Sequence, residues 1–333
     1  MHGAKAVARF GAVLLCLALT AGFAPAARAE DELASGRFAL VDRGGAVLLR
    51  TGVVVSEGDF LLTPGGEVYR VASLHGAQAE LEPTALDAVG FRSPLSFLAW
   101  PATAVPPVAH ALAGTRIAIY STHGDETLRG AVAVTGKAGA DAVPVMSVAD
   151  SFAAAAVAHG LTVSCDTTSH WPHDGDAYRR SALTVRELLR GRPDLLLDWQ
   201  TDRPPAAGEA AEEPACLLVV GGSSPRMKLN LSFARALMTR ANQLQAGTVK
   251  GILVCRGDYA QVYYPAAVVV MAGTAADDAT SVSALAVTLA GAIGELHTEA
   301  AGARGSVTLY TVALGLAMLF QRVIRRGWRG RWR

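Results

Sequence analysis

The chain has 333 residues, of which 51% are hydrophobic and only 18% charged, and its formal net charge is +1. That composition excludes a disordered polymer and a basic nucleic-acid binder. The small net charge hides a segregation. Residues 1–29 carry Lys5, Arg9 and Arg28 and no acid, residues 322–333 carry six Arg and no acid, and the stretch between them holds 21 basic against 29 acidic residues.

The first segment has the grammar of a secretory signal. Lys5 and Arg9 precede the apolar run Gly11 to Phe23, and Ala27-Arg28-Ala29 supplies small residues at the positions a signal peptidase needs. Cleavage is expected after Ala29, leaving residues 1–29 as the signal peptide. Residues 30–91 read as a small β-rich region. Apolar runs at Phe38–Val41, Val47–Val55, Phe60–Thr63, Val68–Leu74 and Ala79–Leu81 alternate with Gly-rich turns, as in a small meander or barrel. Residues 92–114 carry Pro94, Pro101, Pro106 and Pro107 and read as an extended linker.

From residue 115 to 298 strands and helices alternate. Strands are expected at Arg116–Ser121, Leu161–Ser164, Leu195–Trp199, Cys216–Val220, Gly251–Val254 and Ala267–Met271. Helices are expected at Ser147–His159, Tyr178–Arg190, Leu229–Gln245 and Ser281–His297, the first two closed by Gly160 and Gly191. Fully apolar strands between amphipathic helices predict an α/β fold, a mostly parallel sheet with helices on both faces. In such sheets functional groups gather where strands run out into loops. Beyond it, residues 305–321 hold 17 residues without a charge, so 305–324 reads as a short transmembrane helix and 325–333 as a basic tail. The positive-inside rule places that tail in the cytoplasm and the body outside a cell membrane crossed once. Cys165, Cys216 and Cys255 show neither disulfide nor metal spacing and are expected to be buried thiols.

Two polar clusters follow strands. One is Ser121-Thr122-His123-Gly124-Asp125-Glu126, where a His and a Glu three apart are both ordinary zinc ligands. The other, Asp166 to Tyr178, holds His170, His173 and three Asp before a helix start.

Taken in order, these segments resemble the stage II sporulation protein P family over roughly residues 115–297. His123 and Glu126 after their strand are similar to the family's His-Thr-His-Thr-x-Glu run. His170-Trp171-Pro172, Gly175, Tyr178 to Ser181 and Thr184-Val185 resemble its next stretch, and Leu197 to Asp202 stands where the family has Leu-Asp-Ile-His-Arg-Asp. Val219 to Gly222 with Asn230-Leu231, and Gly257 to Val270, continue the likeness. The resemblance implies a membrane-anchored, zinc-dependent N-acetylmuramoyl-L-alanine amidase acting on peptidoglycan during engulfment, with the cytoplasmic membrane and other engulfment membrane proteins as partners.

The departures fall on the chemistry. The family's first His of the His-Thr-His run is Ser121, its ligand His is Gln200, and the Glu expected as general base is Met271. A neutral amide is a poor zinc ligand, and loss of a general base costs ~10²–10⁴ in rate. The resemblance therefore leaves no catalytic residue assigned. It gives His123, Glu126 and His170 as candidate metal ligands, and His173, Asp202 and Tyr178 as candidate substrate contacts. Three readings stay open: an amidase-like protein that has lost catalysis, a working amidase with His170 or His173 as replacement ligand and Asp125, Asp198 or Asp202 as base, and an unrelated membrane-anchored α/β binding protein.

Overall fold

The computed structural model describes residues 33, 36–89, 116–130, 142–210, 212–263 and 266–301. The expected signal peptide, linker, transmembrane helix and basic tail lie outside these residues. Thirteen strands are described: β1 Phe38–Val41, β2 Val47–Thr51, β3 Phe60–Leu62, β4 Val68–His75, β5 Gln78–Thr84, β6 Arg116–Tyr120, β7 Thr127–Leu128, β8 Val143–Pro144, β9 Thr162–Cys165, β10 Leu195–Asp202, β11 Cys216–Gly221, β12 Val249–Cys255 and β13 Ala266–Thr274. The helices are α1 Met146–Ala158, α2 Ala177–Leu188 and α3 Met227–Leu244, followed by α4 Ala279–Ala301.

Eleven strands form one sheet in the order β2-β1-β5-β4-β3-β12-β11-β13-β10-β6-β9. The α/β half is a mixed α/β sheet, mostly parallel. β6 pairs with β9, β10 with β6 and with β13, and β11 with β12, all in parallel, and only β11 with β13 runs antiparallel. The β-rich stretch is an open sheet in which the hairpin β1–β2 lies beside the meander β3–β4–β5, β1 pairing with β5 in parallel. β3 hydrogen-bonds β12 in antiparallel register, Leu61 opposite Leu253, so the meander extends the same sheet instead of closing on itself.

Strand β10 shows why the sheet takes this form. All eight of its residues are buried, as a central strand covered on both faces requires. Side chains alternate across a strand. Leu195, Leu197 and Trp199 join the core under α1, α3 and α4, where Trp199 meets Phe152 edge-on at 5.6 Å. Leu196 points to the other face, with Val185 and Leu188 of α2. That same face carries the second core, where Val219 and Met271 pack beneath the meander's Leu40, Val71 and Leu81.

Helix α4 is long and apolar enough to cross a membrane by length and composition, but its Val282, Leu285, Leu289 and Ile293 are spent on the main core. Helix α1 closes at Gly160, whose φ of 74° is the left-handed conformation a glycine takes at least cost. The second helix departs from expectation. Its residues 189–191 tighten into a 3₁₀ turn, and the left-handed residue after it is Arg192, φ 51°, not Gly191. The short pair β7–β8 was not foreseen, because two-residue strands leave no periodicity to read. Cys216 and Cys255 are buried as expected, whereas Cys165 is exposed on the edge strand β9.

A buried carboxylate joins meander and sheet. At the end of β10, Asp202 Oδ1 accepts hydrogen bonds from Gly52 N at 2.7 Å and Thr51 Oγ1 at 3.1 Å, and its Oδ2 lies 3.1 Å from Lys250 Nζ on β12. Gly52 is required there, because a Cβ would sit 2.0 Å from Cγ of Arg203. This corrects Asp202 as a substrate contact, since its oxygens are consumed by the fold. Asp202→Ala strands a lysine, a threonine hydroxyl and a backbone N–H, and is expected to lower stability by about 3–5 kcal/mol in urea denaturation. A loss under about 1 kcal/mol would contradict this role.

Candidate functional site

The parallel strands β6, β10 and β13 finish level with one another. Asp198 pairs with Tyr120, and two residues on Gln200 pairs with Met271. The turn leaving β6 is held by Asp198, which accepts from Thr122 N at 2.8 Å and from Thr122 Oγ1 at 2.6 Å. Burial pushes the Asp198 carboxyl up to about 6, against the pull of its bonds from Thr122, Gln200 and Tyr120. Burial, then the neighbouring Asp198, raises the Tyr120 phenol well above its ordinary range. Asp198 is thus a positioning group for the turn, with its oxygens turned to Thr122.

That turn delivers His123. Its ring is 3% exposed, and neither ring nitrogen has a hydrogen-bond partner. It stacks on His173, centroids 3.8 Å apart and planes within 10°, and receives Tyr178 edge-on at 5.6 Å. Burial, then the charges of His173, Arg203, His170 and Arg180, lowers the His123 imidazole to about 3. His123 is therefore neutral at physiological pH. Glu126, at the end of the turn, accepts from Thr201 N at 2.6 Å, which brings it against β10.

The loop before α2 supplies the second imidazole. His173 Nδ1 lies 3.5 Å from Asp125 Oδ2, while its Nε2 is buried without a partner. His170 is different. Its Nδ1 lies 2.8 Å from Ser121 O, and its Nε2 lies 2.8 Å from Thr184 Oγ1. Nδ1–H donates to the Ser121 carbonyl and the Nε2 lone pair is taken up by the Thr184 hydroxyl, so in this fold His170 clamps the loop and holds no lone pair open for a metal. This corrects its reading as a ligand.

Tyr178, Gln200 and Met271 form the floor. Gln200 Nε2 donates to Tyr178 Oη at 3.1 Å. Tyr178 in turn is braced edge-on by Tyr259 at 5.3 Å. Tyr259 and Ala260 both have φ near +50°, a left-handed pair that costs free energy in non-glycine residues. The surroundings enforce it. Gln261 bonds across to β11 through Gly221 N and Val219 O, and Ser224 and Asn230 donate to the Gln261 carbonyl. Gly221 has the backbone of Asp258 2.6 Å from where a Cβ would be. The segments around Asn230 and Gln261, singled out by resemblance alone, thus build the loop that seats Tyr259. Reading the sequence missed Tyr259 and Arg203 near His123. The likeness noted over Gly257 to Val270 was the available signal for the first.

The residues do not fit a zinc ion in this arrangement. Imidazole lone pairs lie in the ring plane, and two rings stacked 3.8 Å apart cannot both aim at one point ~2.0–2.1 Å from each nitrogen. His170 is engaged, Gln200 is bonded to Tyr178, and among the described residues no group of three His, Cys, Asp or Glu side chains could hold a metal ion. What the arrangement offers instead is a buried polar cluster of a neutral imidazole, a phenol and an amide beside the loop that carries His173.

The family model for Stage II sporulation protein P matches residues 109–294, more than half of the chain. No curated protein matches. Among solved structures, the N-acetylmuramyl-L-alanine amidase Ami1 of Mycobacterium smegmatis is similar at 14% identity and a TM-score of 0.36, over 58% of this chain and 99% of that one. The CwlD amidase of Clostridioides difficile, in complex with the GerS lipoprotein, gives 13% and 0.35 over 56% and 99%. AmiC2 of Nostoc punctiforme, also an N-acetylmuramoyl-L-alanine amidase, gives 11% and 0.33 over 56% and 97%.

Asp198 makes the site's stability depend on pH. Its carboxyl ionises near its ordinary 3.8 in the unfolded chain and only at about 6 in the fold. Between those values the folded state holds a proton that the unfolded state has lost. The group's contribution is full below the lower value and declines as pH rises through the upper one. Asp198→Asn removes the titration while keeping an oxygen for Thr122 N. From about pH 4 to about pH 7, the stability difference between variant and parent is expected to move toward the variant by roughly 3 kcal/mol. A difference constant over that range would refute the assignment.

Proposed function

The chain belongs to the stage II sporulation protein P family, and from that premise we propose that it binds peptidoglycan at the cell surface without hydrolysing it. Its body, residues 30–304, faces the wall, anchored by a single span at 305–324 with the basic tail 325–333 in the cytoplasm. The signal peptide is removed. Its partners are the wall itself and other membrane proteins of engulfment.

One observation carries the loss of hydrolysis. Gln200 and Met271 are register partners on adjacent strands, and the Gln200 amide is tied to Tyr178. Metal-assisted amide hydrolysis needs about three protein ligands, an open position for water and a base. A methionine takes no proton, and an amide bonded to a phenol is not a ligand. The intact surroundings support retention of binding. The turn carrying His123, the loop carrying His173 and Tyr178, and the segment carrying Tyr259 are each held by hydrogen bonds that involve no metal.

The full-length chain, purified in detergent and supplied with zinc, is expected to sediment with peptidoglycan sacculi, to retain well under one zinc per chain and to release no stem peptides. Release of free stem peptides, abolished by His123→Ala, would overturn the loss of hydrolysis. The paired change Gln200→His with Met271→Glu is expected to raise bound zinc toward one per chain. Unchanged metal content in a folded double variant would mean that these two positions are not what removed the metal.

A further inference from the structure

Trp171 breaks the burial rule of this fold. Its indole is 68% exposed, whereas Trp199 is completely buried. The backbone carrying it is not slack. On one side, His170 is fixed through both ring nitrogens to Ser121 and Thr184. On both sides, Arg180 of α2 holds the carbonyls, its Nε donating to His170 O at 2.7 Å and its Nη2 to Pro172 O. The same Nη2 lies 2.6 Å from Asp174 Oδ1. An exposed indole gains no packing from such a mount, so the clamp holds it in place without burying it. Two residues on, His173 stacks upon His123, so the mount adjoins the candidate site. Leu183, one turn along α2 from Arg180, is likewise exposed, at 67%.

We propose that Trp171 is a stacking platform for a pyranose ring of an N-acetylated glycan, holding the strand beside His123, His173 and Tyr178. An indole offers a flat apolar face with a polar rim, which matches a sugar ring whose faces carry C–H groups and whose edges carry hydroxyls and amides. The rim of the mount is polar: the pairs Arg180–Asp174 and His173–Asp125 border it. A membrane surface suits the place less well, because Asp166, Asp174 and Asp176 on the same loop repel anionic lipid. The glycan's origin in the wall rests on the function proposed above. The stacking itself does not.

The test uses the full-length chain in detergent, with Trp171→Ala and Trp171→Tyr beside the parent. Two ligands are titrated, peptidoglycan sacculi by sedimentation and a soluble tetramer of N-acetylglucosamine by tryptophan fluorescence, with vesicles containing anionic lipid as a third arm. Because the indole is exposed, neither substitution should alter thermal unfolding appreciably. Trp171→Ala is expected to weaken binding of sacculi and tetramer by about three- to tenfold and to abolish the fluorescence change, and Trp171→Tyr to restore much of the binding. Undiminished sacculus binding by Trp171→Ala overturns the inference and leaves the wall-binding reading standing. Tetramer binding that depends on Trp171, without sacculus binding by the parent, upholds the platform and overturns the wall-binding reading. Loss of vesicle binding alone in Trp171→Ala overturns the inference in favour of a membrane contact.

Discussion

The burial of β10 on both faces is the constraint from which the remainder follows. A strand with no water on either side must pair every polar group it carries. β10 carries two carboxylates, and each meets that demand by gripping a different part of the chain. Asp198 holds the turn that leaves β6, and with it His123. Asp202 holds the end of β2 and Lys250, and with them the whole meander. Between them, Gln200 satisfies itself on Tyr178. Site and scaffold are thus joined through polar groups of a single buried strand.

Much of the architecture was legible in the sequence. Continuous apolar runs such as Leu195–Leu197 and Leu217–Val220 announce strands with two covered faces, and the order of elements follows from them. Less legible were matters of direction and partner. Residue spacing brings His170 and His173 to one loop, but it does not say where a ring's lone pairs point. One is spent on Ser121 and Thr184 and the other faces a stacked imidazole. Asp202 reads as a polar residue at a strand end, and nothing local reveals that its partners lie some 150 residues earlier. The left-handed role of Arg192 in place of Gly191 shows the same limit at a helix end, since the glycine was near enough to be plausible and one residue too early.

The motif residues divide into two sets with different physical duties. Asn230, Gln261 and Gly221 shape a loop by hydrogen bonds and close approach, and their work is independent of any chemistry at the strand ends. Ser121, Gln200 and Met271 stand where the family's resemblance places chemistry, and here they are buried neutral groups. A fold whose framing loops are self-sufficient does not depend on the groups at its strand ends for its shape, so the shape of a site and the chemistry it hosts are separable properties.

The junction between β3 and β12 has a mechanical consequence. Among the links that cross between the first ninety residues and the rest are three register pairs of backbone, the carboxylate at the end of β10, the ion pairs of Arg37 with Glu209 and Glu212, and a shared apolar core. The two parts therefore share one cooperative melting transition, and hydrolysis of the chain between residues 90 and 115 would sever the covalent link without parting the pieces.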